Sequence, residues 1–402
     1  MVRKFSNILL FLPVLALLAS CGKEVSKGAD SQKQTEDAVV ELHLVAKPAE
    51  EATKVTESAT VEESKVNTID LFVFDEKGYL NAYKHFKGYN ASTPPSVNCL
   101  SGDKKTIYAL ANAGLSEGYF KQYISTIEDL RKTVFTLKDN YRPASGGTGT
   151  GTLDNFEMWG SAGPMGLSSG TNTVEIVLTR VVSRVVLGRI VRNFSSPLLY
   201  AADFRIVAIY MSNVPGTYGL AEAESARYRT SESSPWLNPY KYNGAHTPYA
   251  GYIDIDSAAD RWLRYAYPSP VSIGQGGTLN VGVRFYVFPN DALFDAAEGG
   301  ETDTFKLRQT KLVIEATCNG TTCYYPIPIV EMATYPRLPE NDPGYAAQKA
   351  SFQGLRPNRS FHLDEIVLTR LGTNNPDVPV HTADIVPGIT IQPWDVDPNI
   401  NI

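Results

Sequence analysis

The stretch Ile385-Val386-Pro387-Gly388-Ile389-Thr390-Ile391-Gln392-Pro393-Trp394-Asp395-Val396 decides how this chain is read. Ile385, Ile389 and Ile391 share odd parity, and beyond Pro393 the apolar set moves to even parity with Trp394, Val396, Ile400 and Ile402. Apolar residues at every second position mark a strand with one buried face. The parity switch predicts a kink or bulge at Pro393 that divides the tail into two strand segments. Ahead of it runs Gly372-Thr373-Asn374-Asn375-Pro376-Asp377, a linker expected not to pack. An apolar strand on such a linker must dock, on its own body or on a neighbour, because bare apolar surface in water is unfavourable.

A matching strand stands at the other end. From Val39 to Ala46 the chain alternates, with Val40, Leu42 and Leu44 on one face and Glu41 and His43 on the other. His43 is thus an exposed strand residue rather than a ligand. Lys47 to Lys65 is polar and rich in Glu, Thr and Ala, the kind of exposed segment at which proteases nick. One mechanism accommodates both strands. The N-terminal strand fills a groove until it is cut away, and the C-terminal strand of another copy then occupies the groove, gaining main-chain hydrogen bonds and side-chain pockets. Such contacts are head-to-tail and propagate as a filament.

Between these ends the chain reads as all-β. It has 402 residues, room for two to three domains at roughly 100–200 residues each. Gly 31, Pro 25, Tyr 22 and Phe 16 against Met 5 favour strands and turns over helical bundles. Strands are predicted at 67–74, 106–111, 173–178, 185–191, 204–211, 279–288, 311–318, 323–329 and 361–368, with a capping box at Ser125-Thr126-Ile127-Glu128 before one short helix. Many short strands separated by turns indicate β-sandwiches, two of similar size at most. The net charge of -6 disfavours a nucleic-acid partner.

The N-terminus indicates export. Arg3 and Lys4 precede an apolar run from Ile8 to Ala19, too short for a hydrocarbon core of about 30 Å and suited to a signal peptide. It ends Leu18-Ala19-Ser20-Cys21, small residues before a cysteine, as in a bacterial lipobox; Cys21 is the expected lipidation site and membrane anchor. Gly22 to Asp37 reads as a tether. Cys318 and Cys323 flank Asn319-Gly320-Thr321-Thr322, a four-residue loop that would set them opposite each other. They either join in an oxidising compartment or remain two thiols at a strand end.

Catalytic and metal readings are weaker. Gly166-Leu167-Ser168-Ser169-Gly170 fits G-x-S-x-G, but a strand rather than a helix is predicted after it. The Gly/Thr run Gly146 to Thr152 lacks the Lys of a phosphate loop. Asp254, Asp256 and Asp260 are oxygen donors without EF-hand spacing, and a solvated loop is the simpler reading. No catalytic residue, cofactor or metal is expected. Trp159 is expected in the core. Tyrosines 240, 242, 249 and 252 lie in the long stretch 218–272, where a protein- or glycan-binding surface is one reading.

The order of several short motifs resembles the fimbrillin family, the type V pilins of Bacteroidales. Arg356-Pro357-Asn358-Arg359-Ser360-Phe361-His362-Leu363, Ile366-Val367-Leu368-Thr369 and Gly372-Thr373-Asn374-Asn375-Pro376 are similar to the end of the second fimbrillin domain and its linker. Ile389 to Val396 resembles the donor strand, Thr179 to Val185 the domain junction, and Glu63-Ser64-Lys65-Val66, Tyr108-Ala109-Leu110-Ala111-Asn112 and Asn213-Val214-Pro215 further family motifs. The resemblance implies two tandem transthyretin-like β-sandwich domains with a C-terminal donor-strand tail. It also implies lipoprotein export to the outer membrane, proteolytic maturation and donor-strand exchange in a cell-surface fimbrium. The corresponding divisions are 1–20 signal peptide, 21–65 tether, first strand and cleaved segment, 66–180 and 181–370 the sandwiches, and 371–402 linker and donor strand. Ile385, Ile389, Ile391, Trp394 and Val396 are the expected donor residues. Family members are cut after an arginine in the first interstrand loop; here no arginine lies between Arg3 and Arg131, and the equivalent position is Lys54, before Val55, with Lys47 and Lys65 as alternatives. The implied partners are further copies or related subunits, a processing protease, and a host protein or glycan.

Overall fold

Alternating apolar and polar residues, rich in β-branched and aromatic types, make strands of most of what the structure describes. The computed structural model describes residues 37–45, 57–58, 61–137, 141–142, 152–153, 155–224, 236–237, 253–254, 263–290, 309–329, 342–344, 347, 354–376 and 385–395. Cys21, Lys54, Val55, Asp256, Asp260, Val396, the four tyrosines 240, 242, 249 and 252, and the run 146–151 lie outside them.

In the first half the strands are β1 (Ala38–Val45), β2 (Glu57–Ser58), β3 (Thr68–Phe74), β4 (Leu80–Lys87), β5 (Ser96–Cys99), β6 (Gly102–Ala111), β7 (Val134–Thr136), β8 (Tyr141–Arg142), β9 (Thr152–Leu153), β10 (Met158–Leu167), β11 (Gly170–Val177) and β12 (Thr179–Arg180). The second half has β13 (Ser183–Arg192), β14 (Phe204–Ser212), β15 (Val214–Pro215), β16 (Thr217–Gly219), β17 (Trp236–Leu237), β18 (Ile253–Asp254), β19 (Arg264–Ser272), β20 (Thr278–Val287), β21 (Lys311–Cys318), β22 (Thr321–Pro328), β23 (Arg359–Leu368) and β24 (Ile385–Asp395). Short helices are α1 (Val61–Ser64), α2 (Glu117–Tyr123), α3 (Ile127–Arg131) and α4 (Leu220–Glu224).

Two sandwiches result. In the first, the sheet β11-β1-β5 lies with the sheet β12-β10-β6-β3-β4. β3 is buried on both faces; α2 and α3 supply Phe120 and Leu130 to this core, and Phe120 meets Phe72 edge-on at 5.3 Å. In the second, β2-β24-β23-β13-β20 lies with β19-β14-β21-β22. Each sandwich sets its first long strand in parallel beside a late one, β1 with β11 and β13 with β23. A seam joins the halves: β7 pairs with β16, and Phe156 meets Tyr286 at 4.9 Å.

Several expectations need correction. The capping box sits one residue on, with Thr126 and Asp129 exchanging side-chain and backbone bonds at 3.1 Å. β19 occupies part of a stretch read as loop. The linker packs: Thr373 and Tyr324 exchange backbone bonds of 2.8 and 2.9 Å along the edge of β22, and Pro376 is buried. At Gly372 a Cβ would stand 2.4 Å from the Tyr324 carbonyl, so this close approach requires glycine. β24 runs unbroken through Pro393, which pairs with Arg359; the register shift falls between Leu363 and Glu365 of β23 instead. β24 is an edge strand over most of its length, and an edge tolerates a residue that cannot donate.

Candidate functional site

β1 alternates Ala38, Val40, Leu42 and Leu44 with polar or half-exposed neighbours, and all four are buried. It lies between two strands. Eight of its residues register with β11 in parallel, Ala38 opposite Gly170 through Val45 opposite Val177. Four register with β5 on the other side, and the Leu42 N–H extends that edge by donating to the Pro95 carbonyl at 2.9 Å. Val97, Cys99, Val174 and Ile176 of the flanking strands are buried too. Lifting β1 away would open a slot with donors and acceptors on both edges. His43 is half-exposed as expected and bonds Glu41 at 2.8 Å.

Asp37 fastens the start of this strand. Its carboxylate accepts from the Ser101 N–H and hydroxyl, both at 2.8 Å, and from the Ser169 hydroxyl at 2.7 Å, while its carbonyl accepts from Gly170 N–H at 2.8 Å. The Ser101 N–H, then the Ser169 and Ser101 hydroxyls, lower its pKa to about 2. At the far end the Leu44 N–H donates to the buried Tyr89 hydroxyl at 3.1 Å. Neither Asp37 nor Tyr89 stands out in the sequence, since each is a polar residue beside a strand it joins only in the fold.

The segment behind the nickable stretch is anchored separately. Glu63 of α1 is 1% exposed, and its carboxylate accepts from Arg184 at 2.9 and 3.0 Å and from the Tyr286 hydroxyl at 2.7 Å. Arg180 donates to the Glu63 carbonyl at 2.9 and 3.0 Å, and Arg184 reaches the Ser360 hydroxyl at 2.9 Å. Burial, reinforced by Glu63, pushes the Tyr286 phenol well above its usual range. The motifs around Glu63 and Arg180–Arg184, read separately in the sequence, thus converge on one buried charge network.

The tail strand β24, which carries Ile385, Ile389, Ile391 and Trp394, pairs antiparallel with β23 of its own chain over nine positions, from Ile385 opposite Leu368 to Pro393 opposite Arg359. Its end also meets β2 in parallel, Glu57 opposite Trp394 and Ser58 opposite Asp395.

Cys318 and Cys323 are buried free thiols. The hairpin between them turns on two residues, Asn319 and Gly320, with φ of 49° and 80°, so Cys318 faces Thr321 and Cys323 faces Ala316. The cysteines are diagonal rather than opposite, and diagonal pairs stand about 7–8 Å apart, beyond disulfide reach. Burial raises both thiols, Cys323 to about 11. The Asn-Gly pair between two apolar runs was the sequence signal for this tighter turn.

Ser168 is exposed in the turn between β10 and β11, with strand on both sides and no nucleophile elbow. Trp159 is partly buried against the core rather than inside it. Among the described residues no group of His, Cys, Asp and Glu is placed to hold a metal, and no helix is long and apolar enough to cross a membrane.

Comparison with known proteins follows the same boundaries. Residues 38–180, from the first residue of β1 to the last of β12, match the sequence model of the Major fimbrial subunit protein (FimA) family. A putative cell adhesion protein from Bacteroides eggerthii superposes with a TM-score of 0.61 at 18% identity, covering 90% of this chain and 97% of that one. A fimbrilin (FimA) from Porphyromonas gingivalis gives 0.59 at 15% identity, covering 90% and 99%. A putative cell adhesion protein from Parabacteroides distasonis gives 0.54 at 15%, covering 89% and 99%. No curated protein sequence matches significantly. Residues 38–180 thus resemble the FimA family of major fimbrial subunits, and the chain as a whole has the fimbrilin fold.

Proposed function

We propose that this chain is a structural subunit of a cell-surface fimbrium that supports adhesion, exported as an outer-membrane lipoprotein through Cys21. In this reading a cut after Lys54 frees β1, and the tail of another copy takes its place. The observation that carries the proposal is the position of β1: central in its sheet, yet followed in sequence by the polar stretch Lys47 to Lys65. A cut at Lys54 leaves Glu57, Ser58 and Glu63 with the body. A cut after Lys65 would instead strip away the buried Glu63 and is disfavoured. In its own chain the tail makes nine paired positions on one side and two with β2 on the other, whereas β1 makes eight and four, so exchange offers the tail a longer second edge.

The pairing of β24 with its own β23 favours a second reading, a fimbrial accessory or tip subunit that does not polymerise. Protease-treated full-length subunits, a chain beginning at Val55 and a partner truncated after Asn375 separate the two. Ladders by size and mass that disappear with the truncation are expected; monomers under every treatment would favour the accessory subunit.

A further inference from the structure

The end of the second sandwich from which the tail departs displays apolar side chains that the fold holds rigidly outward. Leu198 is 92% exposed, Tyr200 46% and Leu371 43%. The 3-10 turn Pro197–Leu199 that carries Leu198 is fixed from beneath by the buried Arg192. The Arg192 guanidinium donates to the carbonyls of Leu199, Tyr200, Ala202 and Ile273, and it stacks on Phe194 and Phe204 at 4.9 and 5.4 Å. The loop is also tied to the root of the tail: the Ser195 N–H donates to the Thr369 carbonyl at 2.8 Å and the Asn193 N–H to Leu368 at 2.9 Å. Leu199 packs inward against the core while its neighbour Leu198 stands in water. A preorganised, rigid apolar anchor is the type of residue on which interfaces concentrate their energy.

We infer that Leu198, Tyr200 and Leu371 dock on the copy that receives the tail, an inference that rests on the strand-exchange reading. Two observations select this occupant. Pro376 is buried, and only eight residues separate it from Ile385, a reach of about 30 Å when extended, so an acceptor copy must lie against this end. The second is strand direction. A strand replacing β1 in the same sense enters where β1 begins, at Asp37, beside Ser101 and the turn at Ser168–Ser169. β3 ends and β6 begins at that same end, where the turn Asp75–Tyr79 presents Tyr79 58% exposed. The docking surface is therefore the acceptor's first-sandwich end, carrying the turns 75–79, 101–104 and 168–169.

The test compares protease-matured wild type with Leu198→Asp, with the truncation after Asn375, and with a photo-crosslinking amino acid at position 198. Leu198→Asp is expected to slow ladder growth at least tenfold with the monomer melting temperature unchanged, and crosslinks are expected to map to the three acceptor turns of another copy. Tail-dependent ladders that grow unchanged in Leu198→Asp, or crosslinks that map elsewhere, overturn this contact and leave strand exchange standing. Ladders that persist in the truncation overturn strand exchange itself. If Leu198→Asp lowers the melting temperature, the crosslink map alone decides.

Discussion

Glu63 shows how a single buried charge can hold a junction. Its carboxylate is enclosed by the buried Arg184, with the buried Arg180 on its carbonyl and the partly buried Tyr286 on its oxygen. Removing one partner of such a pair strands the other, at a cost of about 3–5 kcal/mol. Glu63→Gln should therefore lower the unfolding free energy, measured by denaturant titration, by that order. Glu365→Gln, which breaks the exposed pair with Arg189, should change it by less than about 1 kcal/mol. Asp37 acts differently because it is exposed. Its folded pKa, about 2, lies below its ordinary 3.8, so its contribution is complete above 3.8 and is lost as pH falls through about 2. In a chain nicked between β1 and Glu63, wild type should release the β1 peptide faster across that window. Asp37→Asn should release it faster already at neutral pH and show a smaller rise on acidification. Neither role was legible in the sequence: pattern reading sees both residues as polar positions outside the apolar stripe, and their partners are distant in the chain.

At the scale of elements, strands with strong alternation were readable. The strand expected at Val39 to Ala46 lies at Ala38–Val45, where half-burial is written in the period, and Lys311 to Cys318 is β21 to the residue, an apolar run buried on both faces. β10, with the sequence MWGSAGPMGL, was not seen. Its glycines, serine and proline read as loop, yet it is a central strand, and at Gly160 a Cβ would stand 2.3 Å from the Val177 carbonyl. Packing of neighbours, rather than propensity, makes it a strand. The tail was legible as a strand, but the choice of partner was not, since one apolar face fits β23 in its own chain and a vacated β1 slot elsewhere. That ambiguity is measurable. Once β1 has been cut and removed, a peptide of residues 385–396 and one of residues 36–46 should compete for the same chain. Binding of both at once, or of neither, would show that the tail and β1 do not share a site.

At the scale of the molecule, strand number and length point to two sandwiches, and the placement of β1 among the strands of residues 38–180 ties the segment proposed to be cleaved to the first. The second sandwich has its own counterpart of β1 in β13, but β13 follows directly on β12 and the buried Val181 and Val182, with no polar stretch between. Only one of the two equivalent positions is therefore followed by a stretch at which the proposed cut could free it. The parallel ladder of β1 with β11 also decides how such a joint bears force. A strand in that slot, pulled back through the Asp37 end, is loaded along its own axis, while its register with β11 and β5 runs across it. The ladder then resists in shear, many bonds at once, rather than unzipping from one end. From β11 the main chain runs through β12 and the buried Val181 and Val182 into β13, so tension there is carried along the backbone, with the Glu63 network bracing the junction. A filament built this way would yield to traction at the unfolding rate of its sandwiches, with the joints among the last places to part.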